Sequence, residues 1–289
     1  MIAPAPRVSV VVPTHNRGET LQENIESVLD QTYADYEVIY VDDASTDATP
    51  NLLDEYARVC PQRMRTLRVG YGAPGPTRNA GARSARGELL LFTDDDVCVP
   101  RDWVAGMVER LDRGRLDALC GGIAPYSMET AIERYLHYRV LGALGRTAGV
   151  VRAAPMMNFL IRKSVFDRVG GFSAERLAAA EDWEFCHRLT AHGVRIHYDP
   201  SVAVDHRYQS QIGPAMDRMR ASGEAGVTIW LKHHPGAGMY TVYSLLRCFA
   251  SPLWIPLRYP MDLYGVAIRM EFIFAMARLR AYWKHMTDY

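Results

Sequence analysis

The sequence has few cysteines, and neither sign of charge prevails. Its five cysteines form no C-x-x-C pair and show no spacing typical of metal ligands. This pattern favours a reducing compartment and buried, unreactive thiols. Lys plus Arg and Asp plus Glu each number 33, so the formal net charge is zero. The chain therefore has no overall electrostatic attraction to nucleic acid, and we expect no nucleic-acid partner.

Long apolar runs are also missing. No window of about 18 apolar residues is free of charge, so we predict no membrane-spanning helix. The N-terminus has no basic segment followed by an uninterrupted apolar stretch, and the expected location is therefore the cytoplasm. The length of 289 residues and the hydrophobic share of 48% fit two domains, or one large α/β domain with an appendage.

Short apolar runs alternate with helical patterns in the first part of the chain. A continuous apolar run is typical of a strand buried on both faces. Alternation of β and α segments predicts a mostly parallel sheet with helices on both faces. Thr20 and Glu23 have the spacing of a capping box, and Thr49 before Pro50 predicts a second helix N-terminus. The predicted strands are 8–13, 37–43, 65–69 and 88–96, and the predicted helices begin near residues 20, 49, 76 and 100.

The middle of the chain is less regular. Residues 141–154 are rich in Gly, Ala and Arg, which predicts a mobile loop. From about residue 209 the pattern becomes helical and aromatic. The predicted strands here are 118–123, 157–162 and 194–200, and the predicted helices are 129–141 and 181–192.

Two of the predicted strands end in acidic residues. Asp42 and Asp43 follow one strand, and Asp94, Asp95 and Asp96 follow another. Ligands of parallel α/β sheets bind beyond the carboxyl ends of the strands. A single acid such as Asp43 is explained by the frequency of Asp in turns, but three consecutive carboxylates repel one another unless a cation lies between them. We therefore expect a divalent cation with oxygen ligands, Mg²⁺ or Mn²⁺.

A third acidic group opens a predicted helix at Glu181, Asp182 and Glu184. Acidic residues favour a helix N-terminus, so a structural and a functional interpretation of this group are about equal. His206 follows an apolar run, and a lone histidine in such a place is more often structural than a metal ligand.

Gly70, Gly72 and Gly75 match the G-x-G-x-x-G pattern of dinucleotide-binding proteins. That pattern belongs in the first βα turn, whereas here it follows the third predicted strand. Pro74 and Pro76 also lack the N–H groups that would bind a pyrophosphate. The position and the prolines argue against a nicotinamide dinucleotide.

Several segments carry motifs that occur together in one family. They are VSVVVPTHNR, LQENIESVLDQTY, EVIYVDDASTDAT, GPTRNAGARSARGELLLFTDDD, NFLIRKSVFDRVGGF, EDWEFCHRL and HYDPSVAVDH. Together they resemble inverting family-2 glycosyltransferases with the GT-A fold, over about residues 7–210. The resemblance implies a catalytic domain at 1–210, with a nucleotide-sugar half near 1–123 and an acceptor half near 124–210, followed by a helical C-terminal extension at 211–289.

This resemblance implies roles for particular residues. Pro13 and Thr14 line a nucleobase pocket, Asp42 or Asp43 accepts a hydrogen bond from the base, and Asp182 is the general base. The residues implied to bind the nucleotide are Asn16, Arg78, Asp94 and Asp95, with Asp94 on the ribose. Asp96 and His206 are implied to bind the metal, with Asp95 as a further candidate. The residues implied to contact the acceptor are Asn158, Glu181 and Trp183.

The implied reaction moves a sugar from a nucleoside diphosphate, most often UDP, to an acceptor hydroxyl with inversion, assisted by Mn²⁺ or Mg²⁺. The acceptor is a sugar, a lipid-linked molecule or a natural product. Two other functions stay open: a nucleotidyltransferase that makes a nucleotide sugar, and a non-catalytic protein that binds one. The first would need a glycine-rich loop where the chain has PTHNRGET, and the second would be expected to lack the acids that are present at all three sites.

Residues 240–289 are rich in aromatic and basic residues, and apolar residues recur there at helical spacing. One interpretation is an interfacial helix that contacts the inner face of a membrane, near a lipid-linked acceptor. The other, slightly favoured, is a helix packed on the catalytic domain or on a second copy in a homodimer, because such a stripe is usually part of a core. The stripe consists of Leu263, Val266, Ala267, Met270, Phe274 and Ala277.

Overall fold

The computed structural model describes residues 5–175, 177, 179–233 and 251–287. The chain divides into two compact units. Unit 1 comprises residues 1–126, 144–176 and 181–207, and unit 2 comprises residues 127–143, 177–180 and 208–289. Residues 240–250 of the aromatic C-terminal stretch, including Cys248, lie outside the described residues.

Unit 1 is built on a nine-stranded mixed sheet with the order β3-β2-β1-β4-β8-β6-β9-β5, and β7 pairs with β9. Strands β3, β2, β1 and β4 run parallel, whereas β8 is antiparallel to both of its neighbours. The α/β class is therefore confirmed, with a sheet that is parallel in its first half. The strands are β1 Val8–Thr14, β2 Tyr36–Asp43, β3 Met64–Val69, β4 Leu89–Phe92, β5 Val97–Cys98, β6 Ala118–Pro125, β7 Gly149–Val151, β8 Phe159–Arg162 and β9 Ile196–His206.

The helices of unit 1 cover this sheet with apolar faces. Leu21, Ile25 and Val28 of α1 are fully buried, as their helical spacing predicts. Helix α3 lies so close to β1 that a Cβ on Gly81 would come within 2.4 Å of Val11 Cγ1. The helices are α1 Leu21–Leu29, α2 Thr49–Val59, α3 Pro74–Ser84, α4 Trp103–Gly114, α6 Lys163–Val169 and α7 Glu181–Ala191.

The two predicted helix caps are wrong. The Thr20 side chain makes no cap hydrogen bond, and the Glu23 carboxylate instead pairs with Arg207 and accepts a hydrogen bond from Tyr126. Helix α2 already includes Thr49, whose N–H donates to the Asp47 carboxylate at 2.9 Å. At α1, Arg207 and Tyr126 from other parts of the chain take the carboxylate that the spacing assigned to the cap. At α2, the Thr49 hydroxyl accepts from the Arg17 N–H at 2.7 Å, and the nearby Asp47 accepts from the Thr49 N–H.

The region predicted as a mobile loop, 141–154, contains regular structure. Helix α5, Ala131–Leu144, extends into it, and β7 pairs antiparallel with the start of β9 through Val150 and His197. Strand β9 is also longer than the predicted strand 194–200, because it passes an irregularity opposite Gly121 and Gly122 and continues to His206. Strand β4 is shorter than predicted and ends at Phe92, which leaves the three aspartates in a turn.

Unit 2 is helical and has a core of its own. It contains most of α5, then α8 Ile212–His233, α9 Ser251–Arg258 and α10 Tyr264–Thr287. Leu263, Ala267 and Met270 of the predicted apolar stripe are fully buried there. Across the described ranges, every helix is too short or too polar to cross a lipid bilayer.

A partly buried carboxylate joins three segments of unit 2. The Glu271 carboxylate accepts hydrogen bonds from Tyr135 at 3.0 Å, Arg139 at 3.1 Å and Tyr259 at 3.2 Å. The rings of Tyr135 and Tyr259 stack with their centroids 5.2 Å apart. We call these four residues the Glu271 cluster, and they tie α5 and the residue that follows α9 to α10.

Candidate active site

The turn after β4 carries Asp94, Asp95 and Asp96, and a buried amide holds it in place. The Asn24 amide donates to the backbone oxygens of Asp94 at 3.0 Å and Val97 at 2.6 Å. Tyr40 from β2 in turn donates to the Asn24 side-chain oxygen at 2.7 Å. The three carboxylates are therefore presented at the end of the sheet by a fixed support.

Arg78 of α3 joins this turn to the start of α7. Its guanidinium donates to Asp94 Oδ1 at 2.5 Å and to Glu181 Oε1 at 2.8 Å. The Arg78 side chain is only 5% exposed, so the two contacts lie largely out of water. One guanidinium thus brings together acids that are far apart in the sequence, and Asp182 adjoins them on the same helix. We call Asp94, Asp95, Asp96, Glu181 and Asp182 the acid cluster.

Arg17 lies against the other side of the turn. Its Nε donates to Asp95 Oδ1 at 3.1 Å, and its Nη2 lies 3.6 Å from Asp96 Oδ2. His206, at the end of β9, places Nε2 3.4 Å from Asp96 Oδ1. Pairing of β5 with β9 brings this histidine to the turn, since Val97 lies opposite His206. The structure therefore brings together the two predicted metal ligands.

Burial and mutual repulsion shift the pKa of two acids upward. Burial and the Asp96 carboxylate raise the pKa of Asp95 to about 6, against the opposing effect of Arg17. Burial and the adjacent Glu181 raise the pKa of Asp182 to about 7, although the Trp183 N–H donates to its carboxylate at 2.7 Å. Asp182 is therefore a group that can exchange a proton near neutral pH.

The donor atoms at Asp96 and His206 fit a divalent cation. A carboxylate oxygen and an imidazole nitrogen are suitable ligands for Mn²⁺. Mg²⁺ also binds the carboxylate but prefers oxygen ligands to nitrogen. Within the part of the chain that the structure describes, no group of three or more His, Cys, Asp or Glu side chains is arranged to hold a metal by itself. A cation here would need further ligands from a substrate, which is the usual arrangement when phosphates are bound.

Asp43 is fully occupied within the protein. Its carboxylate accepts hydrogen bonds from the N–H groups of Tyr71, Gly72 and Ala73 and from the Thr77 hydroxyl, at 2.6 to 3.1 Å. Four donors use the four acceptor positions of a carboxylate. The glycine-rich loop therefore directs its amides to Asp43, and the dinucleotide pattern has a structural explanation.

The other predicted donor-side residues lie along the ends of β1 and β2. Asp42 accepts from Ser45 N–H through Oδ1 at 3.0 Å, and Thr14 is 3% exposed beside Pro13. Asn16 has a left-handed backbone, φ 52°, and its side-chain oxygen accepts from Thr46 N–H at 2.8 Å. Asn16 thereby joins the loop after β1 to the loop after β2.

The prediction that Asn158 faces an acceptor needs correction. The Asn158 side chain is fully buried and bonded on both sides. Its oxygen accepts from Trp103 Nε1 at 2.9 Å, and its nitrogen donates to the backbone oxygens of Gly122 and Val202. The amide bridges β6 and β9 where their register shifts, so its role is structural. Trp183, by contrast, is partly exposed at the start of α7.

The sequence interpretation missed Arg17 and Asn24. Asn24 sits on the apolar face of α1 between Leu21 and Ile25, and a polar residue in such a buried stripe was the available signal. Arg17 left no comparable signal, since an arginine in a loop is ordinarily solvated, and its contact with Asp95 is 78 residues away in sequence.

Comparisons with known proteins agree with this geometry. A family model described as Glycosyl transferase family 2 matches residues 9–183. Among characterised sequences, the glycosyltransferase AglE of Haloferax volcanii is 25% identical over 260 residues, which cover 88% of this chain and 82% of AglE. The poly(ribitol-phosphate) beta-N-acetylglucosaminyltransferase TarS of Staphylococcus aureus is 29% identical over 214 residues, covering 70% of this chain but only 35% of TarS.

Solved structures show the same fold. The mannosyltransferase PcManGT from Pyrobaculum calidifontis, in complex with GDP-Man and Mn²⁺, superposes with a TM-score of 0.70 at 19% identity, over 98% of this chain and 88% of the other. Residues 1–349 of S. aureus TarS with UDP-GlcNAc superpose with a TM-score of 0.57 at 18% identity, over 96% and 92% of the two chains.

Proposed function

The chain belongs to glycosyl transferase family 2, and we propose that it moves a sugar from a nucleoside-diphosphate donor to an acceptor hydroxyl with inversion at the anomeric carbon. The observation that carries this proposal is the guanidinium of Arg78. It contacts Asp94, the proposed ribose ligand, and Glu181, the neighbour of the proposed base. Donor-side and acceptor-side groups thus adjoin in a single acid cluster, as a direct transfer requires.

Asp182 is the proposed general base. Its carboxylate takes the proton of the acceptor hydroxyl while that oxygen bonds to the anomeric carbon, and the bond from this carbon to the diphosphate breaks on the opposite face. A pKa of about 7 supports this role, because a base is most effective when its pKa is near the working pH. Glu181, held by Arg78, keeps the start of α7 at the acid cluster and raises the pKa of Asp182.

On the donor side, the contacts favour Asp42 over Asp43 as the acceptor for the nucleobase. Asp43 has four donors from its own chain, whereas Asp42 accepts one N–H through one oxygen. Pro13, Thr14 and Asn16 then border the base, and Asp95 supports the phosphate end through its contact with Arg17.

Asp96 and His206 would hold Mn²⁺ or Mg²⁺. Such a cation supplies positive charge where negative charge grows on the leaving diphosphate. Arg17 is the proposed counter-cation of the same carboxylates, because its guanidinium neutralises Asp95 and Asp96 from the protein side. The Mn²⁺ of the PcManGT complex supports the choice of metal.

UDP is the proposed nucleotide, supported by the complex of TarS with UDP-GlcNAc, although the PcManGT complex contains GDP-Man. A sugar, a lipid-linked molecule or a natural product is the proposed acceptor class, with Trp183 at its edge.

A panel of nucleotide sugars tests the proposal directly. A ligand that binds the folded protein raises its unfolding temperature, so we expect one UDP-sugar to do so in the presence of Mn²⁺. The same sugar should give nucleotide release that stops in excess EDTA and returns with Mn²⁺ or Mg²⁺. Stabilisation by no nucleotide sugar would contradict the proposed function. Undiminished release in EDTA would contradict the metal site alone.

A further inference from the structure

Helix α10 presents two apolar faces, one buried and one exposed. Ala267, Met270 and Ala277 are at most 4% exposed; the first two pack in the core of unit 2, and Ala277 lies against Gly223 of α8. A second stripe is formed by Ile268, Phe272, Met276 and Trp283, whose exposed fractions are 48%, 59%, 42% and 71%. Spacings of four, four and seven residues put these four side chains on one side of a helix. The sequence stripe predicted as core accounts only for the first face.

Basic residues border the exposed stripe. Arg269, Arg280 and Lys284 are exposed, and a turn of 3.6 residues places them along one edge of it. The sequence of α10 contains a single acid, Glu271, whose carboxylate is engaged by Tyr135, Arg139 and Tyr259. On its exposed face, α10 itself therefore contributes large apolar side chains and basic side chains, and none of the described residues of this helix adds an acid there.

This surface differs from the rest of the described chain. Among the described residues, ten large apolar side chains are exposed, and seven of them belong to unit 2. Unit 1 contributes the other three, Val59, Tyr126 and Val150. The seven are Ile212, Leu257, Met261, Ile268, Phe272, Met276 and Trp283.

We propose that the exposed face of α10, defined by Ile268, Phe272, Met276, Trp283, Arg269, Arg280 and Lys284, docks the protein on a lipid surface that carries anionic headgroups. Apolar side chains would enter the boundary between headgroups and acyl chains, and the basic side chains would remain at the level of the phosphates. A tryptophan and a lysine near the end of the helix suit this depth, because both have an apolar body and a polar tip.

Charge favours a lipid surface over a second copy of the chain. A symmetric dimer through this face would set the arginines and the lysine of one copy against those of the other. Like charges in contact destabilise such a pairing, whereas anionic headgroups neutralise them.

The apolar part of the proposal is tested by co-sedimentation of the full chain with vesicles. We expect binding to vesicles of phosphatidylcholine mixed with phosphatidylglycerol, and weaker binding to phosphatidylcholine alone. The double substitution Phe272→Gln with Trp283→Gln should lower the affinity about tenfold or more, since two aromatic side chains lose their apolar contact. Val59→Gln removes an equally exposed apolar side chain, 72%, from unit 1 and should leave binding unchanged.

The charged part is tested by Arg269→Glu with Arg280→Glu. Each arginine should account for roughly a fivefold change in affinity for the anionic vesicles, with little change for phosphatidylcholine alone. Binding of the parent chain should weaken as salt is raised. Arg58→Glu, on the exposed surface of α2, is the matched control.

Three results would overturn the proposal: no binding of the parent chain to anionic vesicles, binding that the Phe272 and Trp283 substitutions leave unchanged, or a concentration-dependent dimer that these substitutions abolish. The last would make a second copy the occupant of the face. Because the substituted side chains are exposed, the unfolding temperature should stay that of the parent chain, which separates lost binding from lost folding. Lipid binding needs no sugar transfer, so the outcome is independent of the proposed reaction.

Discussion

Two regions of the molecule place carboxylates beside arginines at similar burial, yet they differ in charge balance. The Glu181 and Glu271 side chains are 14% and 13% exposed. In unit 2, the single carboxylate of the Glu271 cluster is matched by one arginine and two tyrosines. In unit 1, the five carboxylates of the acid cluster adjoin two arginines, Arg17 and Arg78. Of these two regions, only the acid cluster has more carboxylates than arginines.

This difference distinguishes a structural network, the Glu271 cluster, from the proposed binding site, the acid cluster. A balanced network gains nothing from a further cation, whereas an unbalanced one is stabilised by it. Burial alone does not distinguish the two regions. Loss of an acid should therefore affect function in the acid cluster and stability in the Glu271 cluster.

The largest effect is expected for Asp182→Asn. The amide cannot take the proton of the acceptor, so transfer should fall by about a hundredfold to ten-thousandfold, as for other removals of a general base. Donor affinity, measured by thermal shift with Mn²⁺, should stay near the parent value. Asp102→Asn, which changes an exposed aspartate, is the matched control. Full transfer by Asp182→Asn would remove this residue from the base role.

The opposite pattern is expected for Glu271→Ala. Tyr135, Tyr259 and Arg139 lose their shared acceptor, and the free energy of unfolding should fall by about 3 kcal/mol. Denaturant unfolding measures this loss, and Glu271→Gln should show a smaller one because an acceptor oxygen remains. Mn²⁺ and donor affinities of the folded variant should equal those of the parent. A changed Mn²⁺ affinity would contradict the expectation that the Glu271 cluster affects stability alone.

The pH dependence of transfer and of stability should reveal the pKa of Asp182, which burial and the adjacent Glu181 raise to about 7. Transfer should rise about tenfold per pH unit below the pKa of about 7 and level off above it, because the base acts in its ionised form. Stability should change in the opposite direction. Folding raises the pKa of this carboxyl, so its stabilising contribution is present at low pH and is lost as pH rises through about 7. In Asp182→Asn, the decline of stability near pH 7 should disappear. An unchanged decline would contradict the raised pKa of Asp182.

The smallest effect is expected for Arg17→Gln. Without this guanidinium the site becomes more negative, and Mn²⁺ affinity measured by calorimetry should increase by up to about fivefold, the range for a partly exposed ion pair. Arg58→Gln is the control. A weaker Mn²⁺ affinity would mean that Arg17 positions Asp95 and Asp96 instead of competing with the cation.

The sequence predicted the first half of the sheet well because its signal is local. Strands such as Val8–Thr14 and Tyr36–Asp43 are continuous apolar runs, and the helices between them have apolar faces of regular spacing. The acids at the ends of β2 and β4 follow from the same logic, since parallel strands present their carboxyl ends at one edge.

The sequence predictions were wrong where contacts between distant parts of the chain determine the role of a residue or the presence of a strand. The family resemblance assigned acceptor contact to Asn158, yet its amide is used by Trp103, Gly122 and Val202 from three other elements. Glu23 had the spacing of a cap but pairs with Arg207. Strand β7 has three residues, two of them exposed, and only its pairing with β9 defines it.

The exposed stripe of α10 was missed for a related reason. An apolar stripe on a helix predicts one buried face, and α10 has apolar residues on two sides. Sequence spacing alone does not tell which side meets the core, because that depends on helices α5 and α8, which are remote in the chain.

Arg78 has a consequence for which substitutions the protein tolerates. Its planar guanidinium donates a hydrogen bond from one nitrogen to Asp94 and from another to Glu181, which is 103 residues away in sequence. A lysine carries a single point of charge and cannot span both carboxylates in this way. The exchange to lysine, usually regarded as conservative, would therefore break the link that Arg78 makes between the turn after β4 and the start of α7.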